Sequence, residues 1–215
     1  MPAIASSRQP GAPIWFSGRE GQWLLAMQRQ WLLARLEARP ARSWLWIAPV
    51  PAEGGALPAR RGLFLHPDGH GYRGGVRCGL PLPLPSGCLG DVVLQHPPAA
   101  RLDELIEEGR RLLIEGGRLW LCAFNPYGPL RWRGTGARWA APSVGQWQRR
   151  LSRAGLVCAP PRFIGPRWRL GETAGAESGC ALSLRAGCVI EAEKRAALPS
   201  SPASLHWRRG AAPAA

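Results

Sequence analysis

Lysine is almost absent. Lys194 is the only one, so the excess of 28 basic over 14 acidic residues, a formal net charge of +14, is carried by arginine. A surface built to hold nucleic acid gathers its charge into a block or a stripe. Here the arginines are scattered, and the densest spots are Arg131-Trp132-Arg133, Arg149-Arg150 and Arg208-Arg209. The skew reads as a genome-wide preference for arginine and alanine, and specific nucleic-acid binding is not the favoured partner class. Apolar runs are short as well. None approaches the ~18 residues that cross a bilayer, which excludes a membrane helix. The stretch Met1–Arg8 lacks the apolar core of a signal peptide, so a cytoplasmic protein is expected. The six cysteines show no C-x-x-C spacing and have no histidines paired with them, which argues against a metal site. They are expected as free thiols acting as small buried hydrophobes. Internal repeats are also lacking.

What is present is enough for one good core: 215 residues, 46% of them hydrophobic, with a single α/β domain as the expectation. Residues 89–124 are the best-defined stretch. Leu89-Gly-Asp-Val-Val-Leu-Gln-His96 and Gly116-Gly-Arg-Leu-Trp-Leu-Cys-Ala-Phe124 are strands, joined by a helix in which Leu102, Leu105, Ile106, Leu112 and Leu113 recur at helical spacing. Acids fill its first turns and arginines its last, and Gly116-Gly117 are expected to end it. Two strands joined through a helix form a βαβ crossover, hence a parallel sheet.

Before this unit, Ser17-Gly-Arg-Glu20 fits a capping box opening a helix to about Arg39, with Trp23, Leu24, Met27, Trp31 and Leu32 as its apolar face. Strands are expected at Ser43–Ala48, Gly62–His66 and Gly75–Cys78, and later at Leu156–Cys158 and Cys188–Ala192. Ser143 is expected to cap a helix carrying Val144, Trp147 and Leu151 and ending near Gly155. Residues 171–179 read as a glycine-rich loop. The expected organisation is a flexible N-terminus over 1–14, a domain over 15–195 and a disordered tail over 196–215.

With these elements placed, the chain resembles the class I S-adenosylmethionine-dependent methyltransferases, in particular a bacterial branch of the methyltransferase type 11 kind. Leu80-Pro-Leu-Pro-Leu-Pro85 followed by Gly90-Asp-Val-Val-Leu-Gln-His96 looks like the family's passage into its fourth strand. Arg111–Leu121 looks like the turn into its fifth, Phe124-Asn-Pro126 like the end of that strand, and Gly187–Arg195 like its last strand. The match covers about residues 15–195. It implies a Rossmann-like, mostly parallel seven-stranded sheet flanked by helices, with an N-terminal helix. S-adenosylmethionine would lie across the carboxyl ends of the first strands, as in open α/β sheets generally.

The resemblance implies Ile47, Ala48, His66, Asp68, Gly79, Leu80 and Gln95 as cofactor contacts, with Asp68 toward the ribose and Gly79 toward the adenine. His96, at the tip of the fourth strand, stands where the acceptor lies and suits a base near neutral pH. Asn125 and Tyr127 border the same mouth as acceptor contacts, although an Asn-Pro turn explains them equally well. Asp91, at the far end of its strand, is structural. Trp132, Trp139 and Trp147 read as packing of a variable lid rather than stacking on bases. The chain departs from the family after the first strand, where Ile47-Ala-Pro-Val-Pro-Ala52 replaces a Gly-x-Gly loop and Gly54-Gly55 come late. Two functions follow: a methyltransferase of unknown acceptor, or a non-catalytic descendant that binds a protein or RNA. The 47–55 loop separates them.

Overall fold

The run Trp44-Leu45-Trp46-Ile47 has all four side chains buried, which requires a strand covered on both faces. In the computed structural model, which describes residues 12–52, 57–128, 142–165 and 185–195, this run is β1 and lies in the middle of the sheet. It pairs in parallel with β2 (Gly62–Asp68) on one side and with β5 (Leu89–Gln95) on the other, Trp46 standing opposite Phe64 and Val93. β6 (Leu113–Phe124) adds to β5 in parallel. β3 (Gly71–Gly74) and β4 (Arg77–Cys78) extend the sheet beyond β2, while β7 (Val157–Cys158) and β8 (Arg162–Ile164) both pair with β9 (Gly187–Glu193). The order is β4-β3-β2-β1-β5-β6-β9-β7, with β8 also on β9.

Strand alternation sends side chains to two layers. Leu45, Ile47, Val92, Leu94, Leu119 and Leu121 meet α3 (Leu102–Leu112) and α4 (Val144–Arg153). Trp44, Trp46, Val93, Trp120 and Cys122 meet Leu32 and Leu36 of α2 (Arg19–Glu37). The α/β class, the methyltransferase-like strand order and the N-terminal helix agree with the sequence expectation. Among the described residues the sheet has nine strands rather than seven, and parallel pairing is confined to β2, β1, β5 and β6. The strand expected at Gly75–Cys78 is confined to β4 (Arg77–Cys78), and it pairs with a strand that was not expected: β2 runs on to Asp68, turns at Gly69 (φ 60°) and returns antiparallel as β3.

Two helix ends also differ. A short helix, α1 (Ala12–Ser17), precedes α2, so Ser17 closes a helix and Gly18 is the N-cap of α2, without a side-chain bond. Helix α3 stops at Leu112, because Leu113 already pairs with Leu89 of β5. Gly116 (φ 71°) then serves a turn inside β6 and donates its N–H to Lys194 O at 2.7 Å. Ser143 caps α4 as expected, in a capping box with Gln146. Asp91 is structural as read: it is buried, pairs with Arg39 at 3.2 Å and accepts from Trp120 Nε1 at 3.3 Å. Gly54-Gly55, Cys180, the 171–179 loop, the tail, Trp132 and Trp139 lie outside the described residues.

The proline-rich linker after β4 is fastened along α3 by one ion pair. Glu108 accepts from Arg111 (2.7 and 2.9 Å) and from the Leu82 N–H (2.6 Å). Arg111 also donates to the carbonyls of Leu82 (3.0 Å) and Leu84 (2.8 Å). The Arg111 hydrogen bonds hold the Glu108 carboxyl below the usual carboxylate range, against its burial. A depressed folded-state pKa means stabilisation that is present above the ordinary carboxylate pKa and is lost as pH falls through the folded value. Glu108→Gln should cost about 2 kcal/mol at neutral pH and reduce the loss of stability in acid below pH ~4. Urea midpoints measured across pH test this, and a variant with the parent's acid profile would show the clamp to be idle.

Candidate functional site

The carboxyl ends of β1, β2, β5 and β6 open toward α1 and the start of α2, and this mouth holds most of the expected site residues. Ile47 ends β1, and the Ala48 N–H donates to Leu65 O at 3.0 Å, which sets Ala48 beside His66. Gln95 ends β5, and His96 follows it with φ at 47°, its N–H bonded to Cys122 O at 2.9 Å. Asn125 follows β6. The remaining expected residues are elsewhere. Asp68, two residues beyond His66, turns into the β2–β3 hairpin and makes a solvent-exposed ion pair with Arg77 at 3.4 Å. Gly79 and Leu80 are carried past the hairpin, and Leu80 lines an open groove of about 470 Å³ beside Glu104, Glu107 and Glu108 of α3. Tyr127 is exposed.

A buried amide network organises the mouth. Trp46 Nε1 donates to Gln95 Oε1 at 3.1 Å. Gln95 Nε2 donates to Leu25 O at 3.1 Å and to Gln28 Oε1 at 3.0 Å. An indole N–H only donates and a carbonyl only accepts, so the Gln95 amide has one satisfying orientation. That fixes Gln28 Oε1 toward Gln95 and His96, and His96 Nε2, 3.0 Å away, must carry the proton it donates there. Its Nδ1 is then the basic nitrogen. Gln28 is fully buried, and its Nε2 has no hydrogen-bond partner.

His96 keeps some solvent exposure as a residue, but its ring is boxed in. Phe16 and Phe124 stand with centroids 4.7 and 4.6 Å from it, and Gln28 closes a third side. These neighbours carry no charge, and burial pushes the imidazole pKa down to about 3. A ring held this way is a weaker base than the sequence expectation of a base near neutral pH supposes. Asn125 is also occupied. It is 1% exposed, its Nδ2 donates to Arg185 O at 2.7 Å, and its Oδ1 accepts from the Tyr127 N–H at 3.1 Å, the local turn that Asn-Pro favours.

The described residues after β1, up to Ala52, depart from a Gly-x-Gly cradle for S-adenosylmethionine. Residues 47–52 contain no glycine, Pro49 and Pro51 offer no N–H, and Val50 is buried against Phe16 and Leu25. Phe16, Val50 and Gln28 are the mouth residues that sequence reasoning missed. Gln28 had a legible signal, as a polar residue between Leu24 and Leu32 on a four-residue apolar stripe. Among the described residues no three or more His, Cys, Asp or Glu gather as a metal site would need, and no helix is long and apolar enough to cross a membrane.

No protein-family model matches the chain, and no curated protein matches it by sequence. Solved structures do match it in shape. One is a chain of the complex between the Haloferax volcanii Trm112 methyltransferase activator and the "putative methyltransferase" (TM-score 0.54, 13% identity, 86% of this chain and 98% of that one). Another is a SAM-dependent methyltransferase from Archaeoglobus fulgidus (0.51, 14%, 82% and 100%). A third is the Burkholderia thailandensis 1,6-didemethyltoxoflavin-N1-methyltransferase, solved with 1,6-didemethyltoxoflavin and S-adenosylhomocysteine (0.51, 15%, 91% and 93%). At these identities the likeness establishes architecture: the chain has the fold of the class I S-adenosylmethionine-dependent methyltransferases.

Proposed function

We propose that this chain is a non-catalytic methyltransferase-fold protein that acts by binding a macromolecular partner, protein or RNA. The carrying observation is Val50, buried with Phe16 and Leu25 just beyond β1, between two prolines. A methionine moiety held after the first strand needs close backbone approach and free N–H groups. Val50 supplies a side chain where space is needed, and the prolines remove the donors. The low basicity of His96 and the place of Asp68 in the hairpin turn support the same reading.

Methyl transfer to an unidentified acceptor is the second reading, favoured by the gathering of His66, Gln95 and His96 at one end of the sheet, the end where open α/β folds bind ligands. Calorimetry and thermal unfolding with S-adenosylmethionine and S-adenosylhomocysteine distinguish the two. A cofactor with a Kd of ~10 μM would stabilise the fold by about 2.7 kcal/mol at ~1 mM, a shift of several degrees. We expect neither heat nor shift at that concentration. Saturable binding would return the chain to the enzymes.

A further inference from the structure

Arg29 lies on α2 one residue beyond Gln28, and so points about 100° further round the helix, away from the His96 network. It is 8% exposed. Its Nε is buried without a hydrogen-bond partner, and none of the ion pairs among the described residues includes it. Burial lowers its proton affinity, with no acid among the described residues to oppose the effect. What it does have is a ring: the guanidinium carbon stands 5.8 Å from the centroid of Phe64, on β2.

The contrast with the other enclosed arginines is clear. Arg39 has Asp91 at 3.2 Å, and Arg185, as buried as Arg29, donates to Gly165 O at 3.1 Å. A guanidinium stays charged under any ordinary condition, and a buried charge needs an opposite charge or a full set of acceptors. We infer that Arg29, backed by the Phe64 ring, is the receptor for an oxyanion, a carboxylate or phosphate group carried by a small molecule. The planar five-donor fork of arginine matches these groups. At 8% exposure little of the side chain is within reach of a polymer backbone, which favours a small ligand. This inference does not rest on whether the mouth holds S-adenosylmethionine.

The test is thermal unfolding and calorimetry with pyrophosphate and with citrate, at ionic strength held constant with sodium chloride. The parent is compared with Arg29→Met, Arg29→Lys and, as a charge control on this basic protein, the exposed Arg73→Gln. The expected result is a saturable rise in Tm of a few degrees, kept by Arg73→Gln, lost by Arg29→Met and needing at least tenfold more anion in Arg29→Lys. A response to pyrophosphate alone identifies a phosphate ligand, and one to citrate alone a carboxylate. Without anion, Arg29→Met should melt at or above the parent, since it removes an unpaired charge. No saturable shift in the parent, a shift that survives in Arg29→Met, or parent-like affinity in Arg29→Lys would each overturn the inference.

Discussion

Val93→Asp should leave no folded protein. Val93 is completely buried at the middle of β5, with Trp46 of β1 on one flank and Trp120 of β6 on the other. Its side chain points into the layer where Leu32 and Leu36 of α2 meet the tryptophans. A carboxylate there would lie among Leu32, Leu36 and the tryptophans, with Arg39 already paired to Asp91, and protonating it instead requires a pKa raised by about 3–5 units, or roughly 4–7 kcal/mol at neutral pH. The lost apolar contact adds to this, and a domain typically has ~5–15 kcal/mol in all. Val93→Ala, which removes two methyl groups without a charge, should cost about 2 kcal/mol and still fold. Soluble yield, near-ultraviolet dichroism of the tryptophans and urea midpoints separate the two variants. A Val93→Asp protein that melts with the parent would mean that β5 is not the centre of the sheet.

That the centre of the sheet was readable follows from how it is built. The βαβ unit over residues 89–124 announces itself because its helix separates apolar and charged faces, while β5 carries the apolar run Val92–Leu94, is buried throughout and needs cover on both sides. The elements misjudged are those where a local signal lost to a tertiary one. Gly116-Gly117 has the form of a helix C-cap, yet pairing of Leu113 with Leu89 ends the helix earlier and leaves Gly116 for a turn within β6. Ser17 and Glu20 have capping-box spacing, but Ser17 already belongs to α1, and Gly18 takes the capping position. The hairpin from β2 to β3 was in fact signalled by Asp68-Gly69, a turn dipeptide followed by Tyr72 at strand spacing.

The mouth was legible only in part. Residues at strand ends can be placed once strands are placed, and Ile47, Ala48, His66, Gln95 and His96 do converge. What closes the mouth comes from α1, more than 70 residues away from His96 in sequence, and no periodicity links Phe16 to the end of β5. The charge state of His96 was out of reach for the same reason. Its ring takes its properties from Phe16, Phe124 and Gln28, each from a different element.

The same enclosure makes His96 a source of acid lability. Its folded-state pKa, about 3, lies below the unfolded value near 6.5. Between these values the unfolded chain binds a proton at this site and the folded chain does not, so unfolding takes up protons and stability falls as pH falls. Each pH unit in that window removes up to about 1.4 kcal/mol, and descending from pH ~6.5 to ~4.5 removes roughly 2 kcal/mol before carboxylates begin to contribute. His96→Phe keeps an aromatic ring between Phe16 and Phe124 and leaves Gln28 Oε1 bonded to Gln95, so the variant should fold. It has no imidazole to titrate, and its urea midpoint should stay nearly level over that window while the parent's falls. A parent whose stability is flat from pH ~6.5 to ~4.5, or a variant that keeps the slope, would show that His96 reaches water and takes up its proton in the folded protein. The ring would then be available to a ligand at the mouth, and the case for a closed, non-catalytic site would lose one of its supports.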